Sequence, residues 1–282
     1  MNGNLIRISD PSDSRLGPFL HLPLRKAVGK STDGLFVAEG RLVVERLLRS
    51  PYQVAGLLVA DSKLAWAQAT ILDAAASRPE LEQLPIYVLP DEVLNQVVGF
   101  EFHSGIMGSG HRAVPGVLQN QMSEWFSPRS RVSAQRQTII VLPAMNSAEN
   151  LGSIIRSAHG LGAAGLVLSA QSADHLSRRV IRVSMGHALA VPCWRTIDWI
   201  SDLQRLRQSG FRLIGIEHHP RMHPLATARP FERQALVFGN EFAGLDEATL
   251  NLMDEIVGLE MHNAVDSLNV AVTAAIALHH YV

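Results

Sequence analysis

Three short stretches in the second half of the chain combine residue types that do chemistry. The first, Asn150-Leu151-Gly152-Ser153-Ile154-Ile155-Arg156, opens on a good helix-capping residue and puts an arginine in the second turn of the helix that follows. From there a guanidinium reaches back over the carboxyl edge of a sheet, where open α/β sheets bind ligands. Taken alone, the stretch reads as a capped helix with one solvated arginine. The second, Val237-Phe238-Gly239-Asn240-Glu241-Phe242-Ala243-Gly244-Leu245, runs an apolar strand into a turn with two glycines and a carboxylate between them. Gly239 lets backbone approach a ligand closely and Gly244 can take a positive φ, though an ordinary strand-to-helix turn has the same composition. In the third, Leu259 to Val272, a strand end passes through a polar loop into an apolar helix that Asp266 or Ser267 is placed to cap. Asn269, between Leu268 and Val270, is expected to be buried, and a buried amide needs partners.

The elements around these stretches alternate. Phe36 to Ala38 predicts a strand, Leu42 to Leu48 a helix, Ala55 to Ala60 a strand, a helix follows through Ala76, and Ile86 to Leu89 is a third strand before a helix capped by Asp91. Pro115 to Gln137 has little periodicity and reads as a linker. A second series follows. Strands are expected at Thr138 to Leu142, Gly165 to Leu168, Leu189 to Trp194, Phe211 to Ile216 and Ala235 to Gly239. Helices are expected at Asn150 to Leu161, His175 to Ala188, Asp198 to Gln208 with Asp198 as cap, and Val265 to Tyr281. Such alternation predicts an α/β fold with a mostly parallel sheet covered on both faces. The division expected is an α/β domain over 1–115, a linker over 116–136 and a second α/β domain over 137–282.

With 47% hydrophobic and 18% charged residues, the 282-residue chain is of the globular class. No apolar run approaches the roughly 20 residues that span a bilayer, and the first residues lack the pattern of a secretory signal. One cysteine, Cys193, in an apolar stretch, predicts a small buried hydrophobe and a reducing, cytoplasmic setting. The net charge of −1 gives no general attraction to a polyanion. Any RNA affinity must then come from local clusters, Arg25-Lys26 with Lys30 or Arg178-Arg179 with Arg182, and arginines suit bidentate phosphate contacts.

In order and spacing, the three stretches resemble the signature motifs of the SpoU (TrmH) family of RNA 2′-O-ribose methyltransferases, of the SPOUT class. The resemblance covers about 137–282 and includes Val180-Ile181-Arg182-Val183-Ser184-Met185-Gly186, similar to the family's V-x-R-x-S-x-G helix. The first domain is similar to the family's L30e-like substrate-binding domain. Phe36-Val37-Ala38-Glu39-Gly40 matches its F-x-x-E-G entry, and Phe102 to Gly108 a degraded form of its closing strand. The resemblance implies a trefoil knot in the C-terminal domain, a homodimer, and transfer of a methyl group from S-adenosylmethionine to a ribose 2′-hydroxyl in ribosomal or transfer RNA. It implies that Gly239, Leu259, Met261 and Leu268 hold the cofactor and that Arg156, Asn150, Glu241, Ser267 and Asn269 form the catalytic neighbourhood. Glu260 stands where the family has a proline, adding charge beside the cofactor loop. Phe242 stands for a frequent glycine, and Asn263 for a glycine that Asn replaces readily in left-handed backbone.

Other signals carry less. Gly108-Ser109-Gly110-His111-Arg112-Ala113 mimics a dinucleotide fingerprint, but Pro115 and Gly116 leave no helix to receive a pyrophosphate, which removes a dehydrogenase reading. His218, His219 and His223 have no recognised zinc spacing, and no metal is expected. The alternative from another class is a catalytically silent RNA-binding or assembly factor on the same fold.

Overall fold

The computed structural model describes residues 4–20, 34–98, 102–112, 136–240, 243–263 and 265–282. Two compact units emerge: Met1–Ala113 with Leu176–Ala190, and Val114–His175 with Val191–Val282. The expected linker lies outside the described residues apart from Arg136, as do Arg25, Lys26 and Lys30.

The first unit holds strands β1 (Leu5–Arg7), β2 (Leu35–Glu39), β3 (Val54–Ala60), β4 (Ile86–Leu89) and β5 (Ile106–His111), in the sheet order β1-β4-β3-β5-β2. β1, β4 and β3 run parallel, and β5 is antiparallel to both β3 and β2. Helices α1 (Arg41–Arg49) and α2 (Leu64–Ala75) bury Val44, Leu48, Ala67 and Ile71 against one face. Helix α3 (Asp91–Val98) and the turn Ser14–Phe19 bury Leu94, Val97, Leu16 and Phe19 against the other. Asp91 is the first residue of α3 rather than its cap, and its carboxylate accepts a hydrogen bond from Ser62 Oγ at 2.7 Å. The fingerprint-like Gly108 to His111 lies inside β5, where a Cβ at Gly110 would come within 2.5 Å of the Phe36 ring. Those glycines make room for packing.

The helix expected over 175–188 is shorter. Helix α5 (Arg178–Val183) is capped by Ser177, and Met185 and Gly186 then take left-handed backbone at φ 56° and 85°, which no α-helix accommodates. The Ser184 hydroxyl, fully buried, donates to the Ile181 carbonyl and accepts from Ala188 N–H. Arg46 donates to the Met185 carbonyl, holding the turn. Arg178, offered above as an RNA contact, instead pairs with Glu39 of β2 through Nε at 2.7 Å and Nη2 at 2.6 Å, with both side chains largely buried. Arg179 and Arg182 are exposed.

The second unit is a seven-stranded sheet in the order β10-β12-β9-β11-β6-β7-β8, every neighbouring pair parallel. Its strands are β6 (Gln137–Leu142), β7 (Gly165–Leu168), β8 (Cys193–Arg195), β9 (Arg212–Ile216), β10 (His223–Pro224), β11 (Arg233–Phe238) and β12 (Glu255–Gly258). Near-continuous apolar runs form the inner strands because both faces are covered. Its helices are α4 (Ala148–Leu161), α6 (Trp199–Gln208), α7 (Glu247–Leu250) and α8 (Val270–Tyr281). On one side, Leu203 and Leu206 of α6 pack with Ile139, Val167, Leu213 and Val237. On the other, α4 packs against α8, which buries Ala271, Ala274, Ala277 and Leu278. The end of α8 is pinned by buried Gln234, whose amide donates to the Tyr281 carbonyl at 2.7 Å and to Thr138 Oγ1 at 2.8 Å. No helix among the described residues is long and apolar enough to cross a membrane.

The Arg178–Glu39 pair yields a test. Glu39→Ala leaves a largely buried guanidinium without its carboxylate and should cost about 3 kcal/mol in urea unfolding, the scale for breaking a buried pair. The double variant Glu39→Ala, Arg178→Leu should recover part of that loss.

Candidate functional site

Helix α4 is capped by Ser147, whose Oγ accepts from Asn150 N–H at 3.2 Å, and not by Asn150 as expected. The Asn150 side chain, in the first turn, is therefore not the cap. Helix α8 begins five residues later than expected, because Asn269 caps it: Asn269 Oδ1 accepts from Ala271 N–H at 2.9 Å. Asp266 and Ser267 cap nothing and sit in an exposed, non-helical segment. Asn269 is also exposed, against the expectation of burial, but its amide is committed. Its Nδ2 donates to Asn150 Oδ1 at 3.0 Å, tying the starts of the two helices together.

Beside this link, a crevice of about 440 Å³ opens at the carboxyl ends of β9, β11 and β12, with Ile216, Phe238 and Gly258 on its walls. Carboxyl edges are where open parallel sheets bind ligands. Of the residues singled out from sequence, Gly239, Leu259, Met261, Ser267, Leu268 and Asn269 all line it. Asn150 joins through its bond to Asn269. Arg156 lies in the third turn of α4, exposed and without a hydrogen-bond or ion-pair partner among the described residues; it is not part of the crevice wall. Glu241 and Phe242 lie outside the described residues.

The glycine turn has its own logic. Asn240 N–H donates to the Gly244 carbonyl and Gly244 N–H to the Asn240 carbonyl, while Ala243 N–H donates to Asn240 Oδ1 at 2.7 Å. Gly244 sits at φ 64°. A Cβ on Gly239 would lie 2.6 Å from Glu217 Oε2, and one on Gly244 2.7 Å from the same atom. Gly239 lines the crevice as the ligand reading expects, and it is also crowded from within by the Gly244 backbone and the Glu217 carboxylate. Glu217, which follows β9, was not singled out, and neither was Thr273 on the same wall; Asn240 was read only as part of the glycine turn and Asp266 only as a cap. The available signal was a carboxylate placed directly after a buried strand.

Electrostatically the crevice is one-sided. Glu217 and Asp266 line it, and no lysine or arginine does among the described residues. Glu260 is not in it. Met261 faces the crevice, whereas Glu260 and His262 line a neighbouring cleft of about 640 Å³ with His279, His280 and Ile276. The alternation is that of extended backbone, whose successive side chains point to opposite sides. Asn263 takes φ 58°, the left-handed geometry that Asn tolerates.

Cys193 is buried, and burial pushes its thiol up to about 12, so it carries no reactive thiolate at neutral pH. His219 Nδ1 accepts from Arg221 N–H, and His223 pairs with Glu255 at 3.2 Å. No group of three or more His, Cys, Asp or Glu is arranged to hold a metal among the described residues.

Residues 137–279 match the model of the SpoU rRNA Methylase family. The chain is 36% identical over 281 residues to an "uncharacterized tRNA/rRNA methyltransferase" of Mycobacterium tuberculosis, covering 96% of this chain and 90% of that protein. It is 26% identical over 248 residues to the 23S rRNA (guanosine(2553)-2′-O)-methyltransferase of Bacillus subtilis, covering 87% of each. Among solved structures, the AdoMet-bound rRNA methyltransferase from Sinorhizobium meliloti superposes with a TM-score of 0.76 over 99% of this chain and 97% of that one, at 20% identity. At that identity the likeness speaks for the fold.

Two outcomes follow from the site's geometry. Asn269→Ala removes a helix cap and should lower stability by about 1 kcal/mol in thermal unfolding. In a double-mutant cycle with Asn150→Ala, the two effects should be non-additive by roughly 0.5–1 kcal/mol, the coupling of side chains in contact. In the folded protein, Cys193 should resist a thiol reagent at pH 8 and react only on denaturation; fast labelling of native protein would contradict its burial.

Proposed function

The chain belongs to the SpoU rRNA Methylase family, and on that premise we propose that it methylates the ribose 2′-hydroxyl of a ribosomal or transfer RNA nucleotide with S-adenosylmethionine as donor. The observation that carries this reading is the crevice at the ends of β9, β11 and β12, walled by Gly239, Leu259 and Leu268, with the carboxylates of Glu217 and Asp266 and no lysine or arginine on its wall among the described residues. A sulfonium and an ammonium fit such a lining; the pyrophosphate of a dinucleotide does not.

Backbone at Gly239, Leu259 and Leu268 would hold the donor, with Met261 and Asn269 beside it. When bound, S-adenosylmethionine supplies a methyl carbon activated by a positively charged sulfur. The chain must place the ribose oxygen in line with that carbon, and holding two reactants in such geometry supplies much of the acceleration. Arg156 is the group for this. A guanidinium has no acceptor, so its part is to grip the neighbouring phosphate and polarise the hydroxyl. The hydroxyl proton then leaves to that phosphate or to water. Asn150 and Asn269 keep the start of α8, with Ser267, at a fixed distance from α4. Glu241 belongs to this proposal as a carboxylate that orients the guanidinium.

The first domain, expected over 1–115 and joined through 116–136 to the catalytic domain at 137–282, would select the RNA together with the exposed Arg179 and Arg182, Arg178 being engaged by Glu39. Leu268, Val272 and Ile276 are exposed at a spacing of four residues near and along α8, a face suited to a second copy of the chain. The knot is part of the same reading; it is supported by the family resemblance and by the packing of α8 against α4. A buried thiol and RNA as substrate favour the cytoplasm. A silent assembly factor would need an obstructed crevice, and Glu260 lines the cleft next to it instead.

Arg156→Ala should lower methyl transfer by at least roughly a hundredfold, the scale of losing one positioned catalytic group, with donor binding unchanged by calorimetry. Turnover at the parent rate would refute the role given to Arg156.

A further inference from the structure

Several carboxylates of the second unit are engaged by cations or by helix ends. Asp202 pairs with Arg205 at 3.0 Å, Asp254 with Arg207 at 2.6 Å and Glu255 with His223 at 3.2 Å, while Asp198 and Asp246 cap α6 and α7. Glu217 differs. Its Oε2 accepts from Leu245 N–H at 2.9 Å and its Oε1 from His218 N–H at 3.2 Å, and it has no ion pair among the described residues. Its own N–H donates to the Val257 carbonyl at 3.0 Å, so the backbone beneath it is locked to β12. The carboxylate is therefore held rigidly by neutral donors against Gly239 and Gly244, half-buried, with its charge uncompensated in the wall of a ligand crevice. Sites that keep a charge unpaired and fixed are set to meet the opposite charge on a ligand.

We propose that Glu217 makes the crevice selective for the positively charged sulfonium donor over the neutral thioether product. This rests on the donor assigned under the proposed function. S-adenosylmethionine and S-adenosylhomocysteine differ by one methyl group and one positive charge on sulfur; the rest of the two molecules is shared. Methyl transfer removes that charge from the crevice, and with it the attraction to Glu217. The attraction already weakens as the methyl group departs, so Glu217 favours the bound donor over the transition state and serves donor binding and product release without accelerating the transfer. It is a specificity-determining residue, and it also positions the 239–245 turn through Leu245 N–H. The second carboxylate of the wall, Asp266, is exposed and accepts no hydrogen bond from the turn, which leaves Glu217 as the charge with a fixed position.

The test is titration calorimetry of both ligands with the full chain, its Glu217→Gln variant and its Glu217→Asp variant. Glutamine keeps an oxygen to accept from Leu245 N–H and removes the charge. The parent chain should bind S-adenosylmethionine roughly tenfold more tightly than S-adenosylhomocysteine, the scale of one charge–charge interaction in a partly screened site. Glu217→Gln should bring the two affinities to within about twofold by weakening only the sulfonium ligand, and Glu217→Asp should keep a preference. S-adenosylhomocysteine, indifferent to the charge, reports whether the turn is intact. An unchanged ratio in Glu217→Gln would overturn the proposal, as would equal weakening of both ligands, which would reduce Glu217 to a prop for the turn. A parent chain that binds neither ligand would overturn the donor assignment and this inference with it; a parent chain that binds both equally would overturn this inference alone.

Discussion

One hydrogen bond joins residues 119 positions apart: the Asn269 amide donates to the Asn150 side chain while its own oxygen starts α8. The two helices it ties lie packed on the same face of the parallel sheet, and their first turns sit near the sheet's carboxyl edge. Without the link, α8 would keep a cap and its packing on α4, but the segment that leads into α8 from Met261 would lose the bond that ties its end to the start of α4. The other end is β12, held between β9 and β10. A crevice wall made of exposed, non-helical chain needs both. Isolated loops of that kind are the low-stability end of a structure.

The opposite wall is built by crowding. The Glu217 carboxylate, Gly239 and Gly244 approach so closely that no side chain fits at either glycine, and the turn closes on paired backbone hydrogen bonds. Rigidity here comes from sterics and neutral donors, which leaves the carboxylate's charge available. Family membership and the carboxylate-lined crevice are thus separate supports for one activity. The first rests on sequence over the second unit, the second on where three strands end.

Much of this was legible in the sequence. The inner strands of the parallel sheet are short apolar runs, and β6, β7, β9 and β11 fall within a residue or two of where those runs stand. β1 and β10 were not legible, because three and two residues carry no periodicity. Asp198 caps α6 as read, but the caps of α4 and α8 were misread in a consistent way. Ser147, Asn150, Asp266, Ser267 and Asn269 are all good caps by type, and which of them acts is decided by partners far away in the chain. The same holds for Glu217: its meaning lies in Leu245 and the two glycines, none of which is near it in sequence. The crevice-lining set, by contrast, was found from motif spacing, since Gly239, Leu259, Met261, Ser267, Leu268 and Asn269 sit on two continuous segments. Arg156 was expected in the second turn of α4; the earlier cap at Ser147 moves it to the third. The helix expected through Ala188 failed at Met185, where a left-handed methionine is a conformation that residue type does not announce.

The most direct measurement is transfer of label from methyl-tritiated S-adenosylmethionine to RNA that lacks the modification, followed by alkaline hydrolysis. Methylation of a ribose 2′-hydroxyl blocks cleavage of the adjoining phosphodiester, so the account predicts that label will be recovered in an alkali-resistant dinucleotide. Label recovered in an alkali-labile mononucleotide would place the methyl group on a base, and no incorporation across total ribosomal and transfer RNA would contradict the activity itself.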